Sequence, residues 1–315
     1  MRLSKYLSST PIAIILLLGV VSAPLLLTYL SANTVFLNGN SNAYAQAGQE
    51  PRPNYFIRIN PGASVQTTQE YSIGNAAVPA GTTVAWINND QGVRHTVTSG
   101  TPGSNTGYFD SGEIPFNGKF QLTFNSASGL VGDYPYYCTL HPYMVATISS
   151  NDTVVKGQSF EFRSGTGPTL DLAKNNRTLL AFNPIGMSID QPEVMHYNFS
   201  ITRNSDNQTL YAETFDVENS AFGIELIQAS QSEAQALGLT IPLRFGPDID
   251  NPYTGAYHVA GDFFSQPGDY TLGVELMTIG SNPPPQPMRD EFTMSVVSGA
   301  TGANATTGAN ATTGT

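Results

Sequence analysis

Residues 132–144 read Gly-Asp-Tyr-Pro-Tyr-Tyr-Cys-Thr-Leu-His-Pro-Tyr-Met, and this run holds the only cysteine among the 315 residues. Cys138, His141 and Met144 follow one another with two residues in each gap. A soft thiolate, an imidazole and a weak axial thioether are the donors of a copper electron-transfer site, which needs a second imidazole as well. His95, inside the stretch Trp86-Ile87-Asn88-Asn89-Asp90-Gln91-Gly92-Val93-Arg94-His95, is the candidate. A lone cysteine or a lone methionine is ordinarily a core residue. The combination, not any single member, points to ligation of one copper ion.

Such a site needs elements that bring distant segments together. Cys138 is expected at the end of a strand, with Tyr134 and Tyr136 on its own face and Tyr137 on the other. A tight loop then returns His141 and Met144 to the same ion. Pro142 stiffens that loop by fixing its own φ and restricting His141 before it. His95 comes from a different strand end. The surrounding residues 54–150 alternate as strands do: Tyr55, Ile57 and Ile59; Val84 and Trp86; Phe120, Leu122 and Phe124; Met144, Ala146 and Ile148 against Val145, Thr147 and Ser149. Short strands punctuated by Gly and Pro predict a Greek-key β-sandwich. Trp86, the sole tryptophan, is expected in its core.

In its motifs this region resembles the cupredoxins, the plastocyanin and amicyanin group. The resemblance runs through Val78-Pro79-Ala80-Gly81-Thr82-Thr83-Val84-Ala85-Trp86-Ile87-Asn88-Asn89-Asp90, then His95-Thr96-Val97, Phe109-Asp110-Ser111-Gly112, Phe120-Gln121-Leu122-Thr123-Phe124 and the ligand loop. The short gaps of that loop are similar to amicyanin. One departure is Val145-Ala146, where many relatives place Gly two residues after the methionine. The resemblance implies a trigonal plane of His95 Nδ1, Cys138 Sγ and His141 Nδ1 with Met144 Sδ as the axial contact. It further implies that Asn89 or Asp90 hydrogen-bonds near His95. His141 would present its edge within an apolar docking patch lined by Pro142, Tyr143 and Val93, and Tyr137 would offer a second, remote route for electrons. The implied activity is one-electron transfer between redox partner proteins, membrane-bound ones included.

Ligand arithmetic disfavours an enzyme. Multicopper oxidases and copper nitrite reductases need at least three further histidines, some of them beside the cysteine. Here Tyr137 and Thr139 flank Cys138 and only His196 and His258 are spare. A binuclear centre of the respiratory-oxidase kind needs two cysteines. The rival to an electron carrier is a secreted cell-surface β-sandwich protein that binds copper for storage or delivery.

The rest of the chain sets the context. A net charge of -11 argues against a nucleic-acid partner. Residues 1–47 read as an export signal: Arg2 and Lys5, an apolar run from Ile12 to Leu30, then Ala43-Tyr44-Ala45-Gln46-Ala47 with small residues at cleavage spacing. The run is also long enough to span a bilayer once, so an uncleaved N-terminal anchor is the alternative. Either reading places the remainder outside the cytoplasmic membrane. This N-terminus and the Asn/Thr/Ser-rich exterior resemble secreted plastocyanin-like proteins of ammonia-oxidising archaea.

Beyond the copper region, residues 151–177 lack pattern and read as a connector or a loosely attached strand pair. Residues 178–298 alternate again at Met195, Tyr197, Phe199 and Ile201, at Leu272, Val274 and Leu276, and at Phe292, Met294 and Val296. A second, immunoglobulin-like β-sandwich is expected there, with one short helix over Ser230 to Leu237. The acidity concentrates here: 18 acidic and 7 basic residues lie in 151–298, against 5 and 3 in 54–150. His196 and His258 are expected as surface residues. The tail 299–315 repeats Thr-Gly-Ala-Asn-Ala-Thr and is expected to be disordered, with Asn304 and Asn310 as glycosylation acceptors. The fold class predicted is therefore all-β, a cupredoxin Greek-key sandwich followed by an immunoglobulin-like one.

Overall fold

A computed structural model describes residues 55–66, 69–187, 193–218, 221–236, 241–245 and 256–297. The export segment 1–47 and the tail 299–315, with Asn304 and Asn310, lie outside the described residues. Among the described residues no helix is long and apolar enough to cross a membrane.

The first sandwich is built from β1 (Tyr55–Ile59), β2 (Asn75–Pro79), β3 (Thr83–Asn88), β4 (Thr98–Thr101), β5 (Ser104–Asp110), β6 (Lys119–Thr123), β7 (Gly132–Tyr137) and β8 (Val145–Asn151). One sheet has the order β1-β3-β6 and the other β2-β8-β7-β4-β5. Consecutive strands therefore change sheet repeatedly, which is how a Greek-key arrangement ties its two layers together. Alternation sets the faces: Tyr55, Ile57 and Ile59 turn inward while Phe56 and Arg58 are half-buried. Trp86 is fully buried, as expected. It stacks on Phe120 at 5.7 Å and meets Tyr136 edge-on at 5.5 Å, so the two sheets are joined through one indole.

Tyr134 closes the approach to β7. Its hydroxyl donates to Gly129 O at 2.8 Å and to Val131 O at 3.2 Å, pinning the turn that delivers the strand. Tyr134→Phe is expected to cost about 1 kcal/mol of stability, read by chemical denaturation, because the ring remains and only the hydroxyl bonds go.

The second sandwich begins earlier than the sequence suggests. The segment 151–177, expected as a connector or loose strand pair, supplies β9 (Val154–Lys156), β10 (Phe160–Ser164) and β11 (Thr169–Asp171). β10 pairs with β12 (Arg177–Pro184), and β11 pairs in parallel with β19 (Met288–Val297) at the far end of the chain. Phe160, Phe162 and Leu170 are buried in the common core. The remaining elements are β13 (Val194–Arg203), β14 (Gln208–Glu218), β15 (Phe222–Gln228), the helical turn α1 (Gln231–Ala236), β16 (Leu243–Phe245), β17 (Tyr257–Gly261) and β18 (Gly268–Ile279). The sheet order β11-β19-β18-β13-β14 faces β16-β17-β15-β12-β10-β9. The expected second β-sandwich is therefore present, with two parallel pairs, β11 beside β19 and β17 beside β15, in otherwise antiparallel sheets. Phe162, Phe182, Phe222 and Phe292 stack through its centre.

Candidate metal centre

Three donors converge at one end of the first sandwich. Cys138 is the first residue past β7 and is fully buried. Its Sγ lies 3.8 Å from His95 Nδ1 and 3.6 Å from His141 Nδ1. The donor atoms of the three residues all fall within 4.8 Å of one another. The loop that carries His141 is closed at both ends: Cys138 N donates to Met144 O at 3.1 Å, and Met144 N to His141 O at 2.9 Å. Met144 is fully buried at the mouth of β8. A soft thiolate with two imidazole Nδ1 atoms suits copper, and the spacing leaves room for an ion among them.

His95 is held by the strand ends rather than by a regular ladder. His95 and Ile114 exchange two backbone hydrogen bonds of 3.2 and 2.7 Å. Asn88, at the end of β3, braces the intervening loop. Its amide donates to Val93 O and Ile114 O, and its carbonyl oxygen accepts from Asp90 N. Gly92 occupies the left-handed region with φ 77°, which lets the chain reverse towards His95.

Asp90 is the residue that orients the imidazole. Its Oδ2 sits 2.9 Å from His95 Nε2 and accepts from Ser64 N, while Oδ1 accepts from Gly62 N. With Nε2 committed to Asp90, Nδ1 is the nitrogen that faces Cys138: it can donate to the sulfur in the metal-free protein, and once it gives up that proton its lone pair is placed for a metal. Burial opposes ionisation of Asp90, but the bonds from His95, Gly62 and Ser64 outweigh it and hold the carboxyl below its ordinary pKa. Burial would likewise lower the His95 pKa, and its bonds to Cys138 and Asp90 raise it instead. Asn89, the other expected neighbour of His95, uses its backbone N–H on Ile59 O and is half-buried.

The thiol sits among donors. Burial alone would push its pKa up, yet the bonds from His95, the Thr96 amide at 3.3 Å and His141 bring it down to about 6. A folded value below the unfolded one means that ionisation adds stability above the unfolded thiol pKa, and that this stability is lost as pH falls through about 6. Ultraviolet thiolate absorbance of the metal-free protein is expected to titrate with its midpoint near there. His141→Ala is expected to raise the midpoint.

Thr96 does more than donate its amide. Its Oγ1 accepts from Thr139 N at 2.8 Å and from the Thr98 hydroxyl at 3.2 Å. One residue thus fastens the ligand loop to the segment carrying His95. Sequence reasoning passed over both Thr96 and Asn88. The signal for Asn88 was present: it shares the inward parity of Val84 and Trp86, where a polar side chain must find partners.

The remaining predicted site residues surround His141. His141 is half-buried, Pro142 is exposed, and Tyr143 places its ring 6.1 Å from the His141 ring with its hydroxyl on Ala63 O. Leu140 beside them is 46% exposed, so the solvent-facing end of the site is largely apolar. Val93 is half-buried. Tyr137 is buried, paired with Thr98 and Val145, and lies outside the core cluster that holds Tyr134 and Tyr136, in keeping with the opposite face.

No protein-family model and no curated protein matches the chain. Among solved structures, a purple cupredoxin from Nitrosopumilus maritimus is 31% identical over 31% of this chain and 99% of its own, with a TM-score of 0.28. Two structures of amicyanin variants in the Cu(I) form are each 22% identical, covering 31% and 32% of this chain and 81% and 84% of theirs, with TM-scores of 0.24 and 0.25.

Proposed function

We propose that the first sandwich is a cupredoxin that binds one copper ion through His95, Cys138, His141 and Met144 and carries single electrons between partner proteins. The observation that carries this reading is the convergence of His95, Cys138 and His141 donors within 4.8 Å from segments more than forty residues apart. When bound, copper supplies a one-electron couple at a site of this donor type. The chain's own contribution is positional. Asp90 fixes the tautomer and orientation of His95. The Thr96 amide donates to the thiolate and so acts on the potential. The closed loop from Cys138 to Met144 limits movement of the donors between oxidation states. His141, half-buried under an apolar rim of Leu140, Pro142 and Tyr143, is the natural exit for an electron. Tyr137, next to the cysteine in the chain, is the second.

The carrier reading puts the protein outside the cytoplasmic membrane, on the strength of residues 1–47, and treats it as a carrier rather than a catalyst because four histidines are too few for a multicopper oxidase or a copper nitrite reductase. Voltammetry of the copper-loaded full chain, with self-exchange measured by NMR line broadening, tests it. A reversible couple with fast exchange is expected. Colourless metal that a mild chelator strips readily would replace this reading with copper storage or delivery at a cell surface.

A further inference from the structure

The second sandwich has no metal cluster among its described residues, yet it buries a charged network against the first. Glu225 on β15 is fully buried. Its Oε1 accepts from the hydroxyl of Tyr55, the first residue of β1 in the other sandwich, at 2.5 Å. Its Oε2 bonds His258 Nδ1 on β17 at 2.7 Å, and the guanidinium of Arg177 on β12 stands 3.6 Å away. His258, expected on the surface, is therefore part of this network. A buried carboxylate is tolerated only when paired and hydrogen-bonded, and one of its partners here is supplied across the junction.

Packing around the network is equally specific. Leu179 and Ala256 belong by chain position to the second sandwich but bury in the core cluster of the first. β2 packs on β12 and β10. At Gly165 a side chain is excluded outright, since a Cβ there would lie 2.1 Å from the carbonyl carbon of Ala77 on β2. Two backbones thus touch with nothing between them, an approach that only glycine permits.

We propose that the second sandwich is the permanent docking partner of the copper-binding one: it occupies the β1–β2 face, closes that face to other proteins, and makes the two sandwiches unfold as one body. A face shared in this way leaves the His141 end and the β5 edge among the open surfaces of the first sandwich. The inference stands apart from the copper reading, because every contact it uses is away from the metal donors.

The test uses the metal-free full chain, so it does not depend on copper binding. Trp86 is the sole tryptophan and reports on the first sandwich alone. In the wild type, Trp86 fluorescence and far-ultraviolet circular dichroism are expected to give coincident thermal transitions. Glu225→Gln, made in the second sandwich, is expected to lower the Trp86 midpoint on the order of 10 °C. Tyr55→Phe is the milder reciprocal change and covers the case in which Glu225→Gln does not accumulate. Removing one hydroxyl from the first sandwich is expected to speed amide exchange in β12 and β15 roughly fivefold. A Trp86 midpoint indifferent to Glu225→Gln, or exchange in β12 and β15 indifferent to Tyr55→Phe, overturns the proposal and makes the two sandwiches independent modules.

Discussion

Cys138→Ser, loaded with Cu(II), is expected to lose the intense visible absorption of the wild-type complex entirely and to bind the metal far more weakly. The colour of a thiolate–copper site comes from the sulfur, and serine offers a neutral hydroxyl in its place. The structure adds a reason for a clean result. Cys138 is fully buried, and its backbone N–H bonds Met144 O whatever the side chain is. The loop is therefore expected to keep its path in the variant, and loss of colour reads as loss of the donor. The metal-free variant should unfold within about 1 kcal/mol of the wild type near pH 6, since serine nearly matches the thiol in size. Above that pH the wild type gains from its ionised thiol and the variant does not, so the gap widens upward. A variant that keeps the colour would remove Cys138 from the metal and with it the electron-carrier reading.

How the site could be read from residues alone follows from where its constraints lie. The C-x2-H-x2-M run is local, so spacing and residue type expose it without a fold. His95 was reachable because only four histidines exist and one follows an alternating strand that contains the sole tryptophan. The choice between Asn89 and Asp90 was not reachable. The two are adjacent in the chain, and what separates them is the turn at Gly92 and the approach of Gly62 and Ser64, whose amides select the carboxylate. Thr96 was hidden for a related reason: its partner Thr139 lies more than forty residues away, and threonine in a strand ordinarily signals nothing beyond β propensity.

The boundary between the sandwiches failed for a different physical reason. Residues 151–177 hold short strands, of which β9 and β10 pair with each other while β11 pairs with the distant β19. Three-residue strands carry too little alternation to register as a period, and parallel pairing with the C-terminal strand leaves no hairpin turn as a marker. Phe160 and Phe162 were the available clue, two aromatics at strand parity in a polar stretch. His258 lies on the outward face of β17, as alternation has it, but that face is where the first sandwich docks, so the side chain is half-buried and paired with Glu225.

Asp90→Ala is expected to have the second large effect, and it separates positioning from ligation. Asp90 touches none of the sulfur chemistry, yet its carboxylate satisfies three donors at once: His95 Nε2, Gly62 N and Ser64 N. Alanine leaves a fully buried imidazole N–H and two backbone amides without that acceptor. The expected cost is about 3 kcal/mol in the metal-free protein, measured by chemical denaturation, together with a roughly 10–100-fold loss of copper affinity measured by competition with a chelator. The pH dependence supplies the diagnostic. Because the folded Asp90 pKa is lowered, its contribution is fully present above the ordinary carboxylate pKa and is lost as pH falls through the folded value. Wild type and variant are therefore expected to differ by a constant amount at neutral pH and to converge below about pH 4. Asp90→Asn keeps one acceptor oxygen and is expected to restore part of the stability while still permitting the wrong His95 tautomer, so affinity should recover less than folding does. If both variants bound copper as tightly as the wild type, the orientation of His95 would have to come from Asn88 and the Ile114 bridge alone, and the carboxylate would be a fold brace with no part in the metal site.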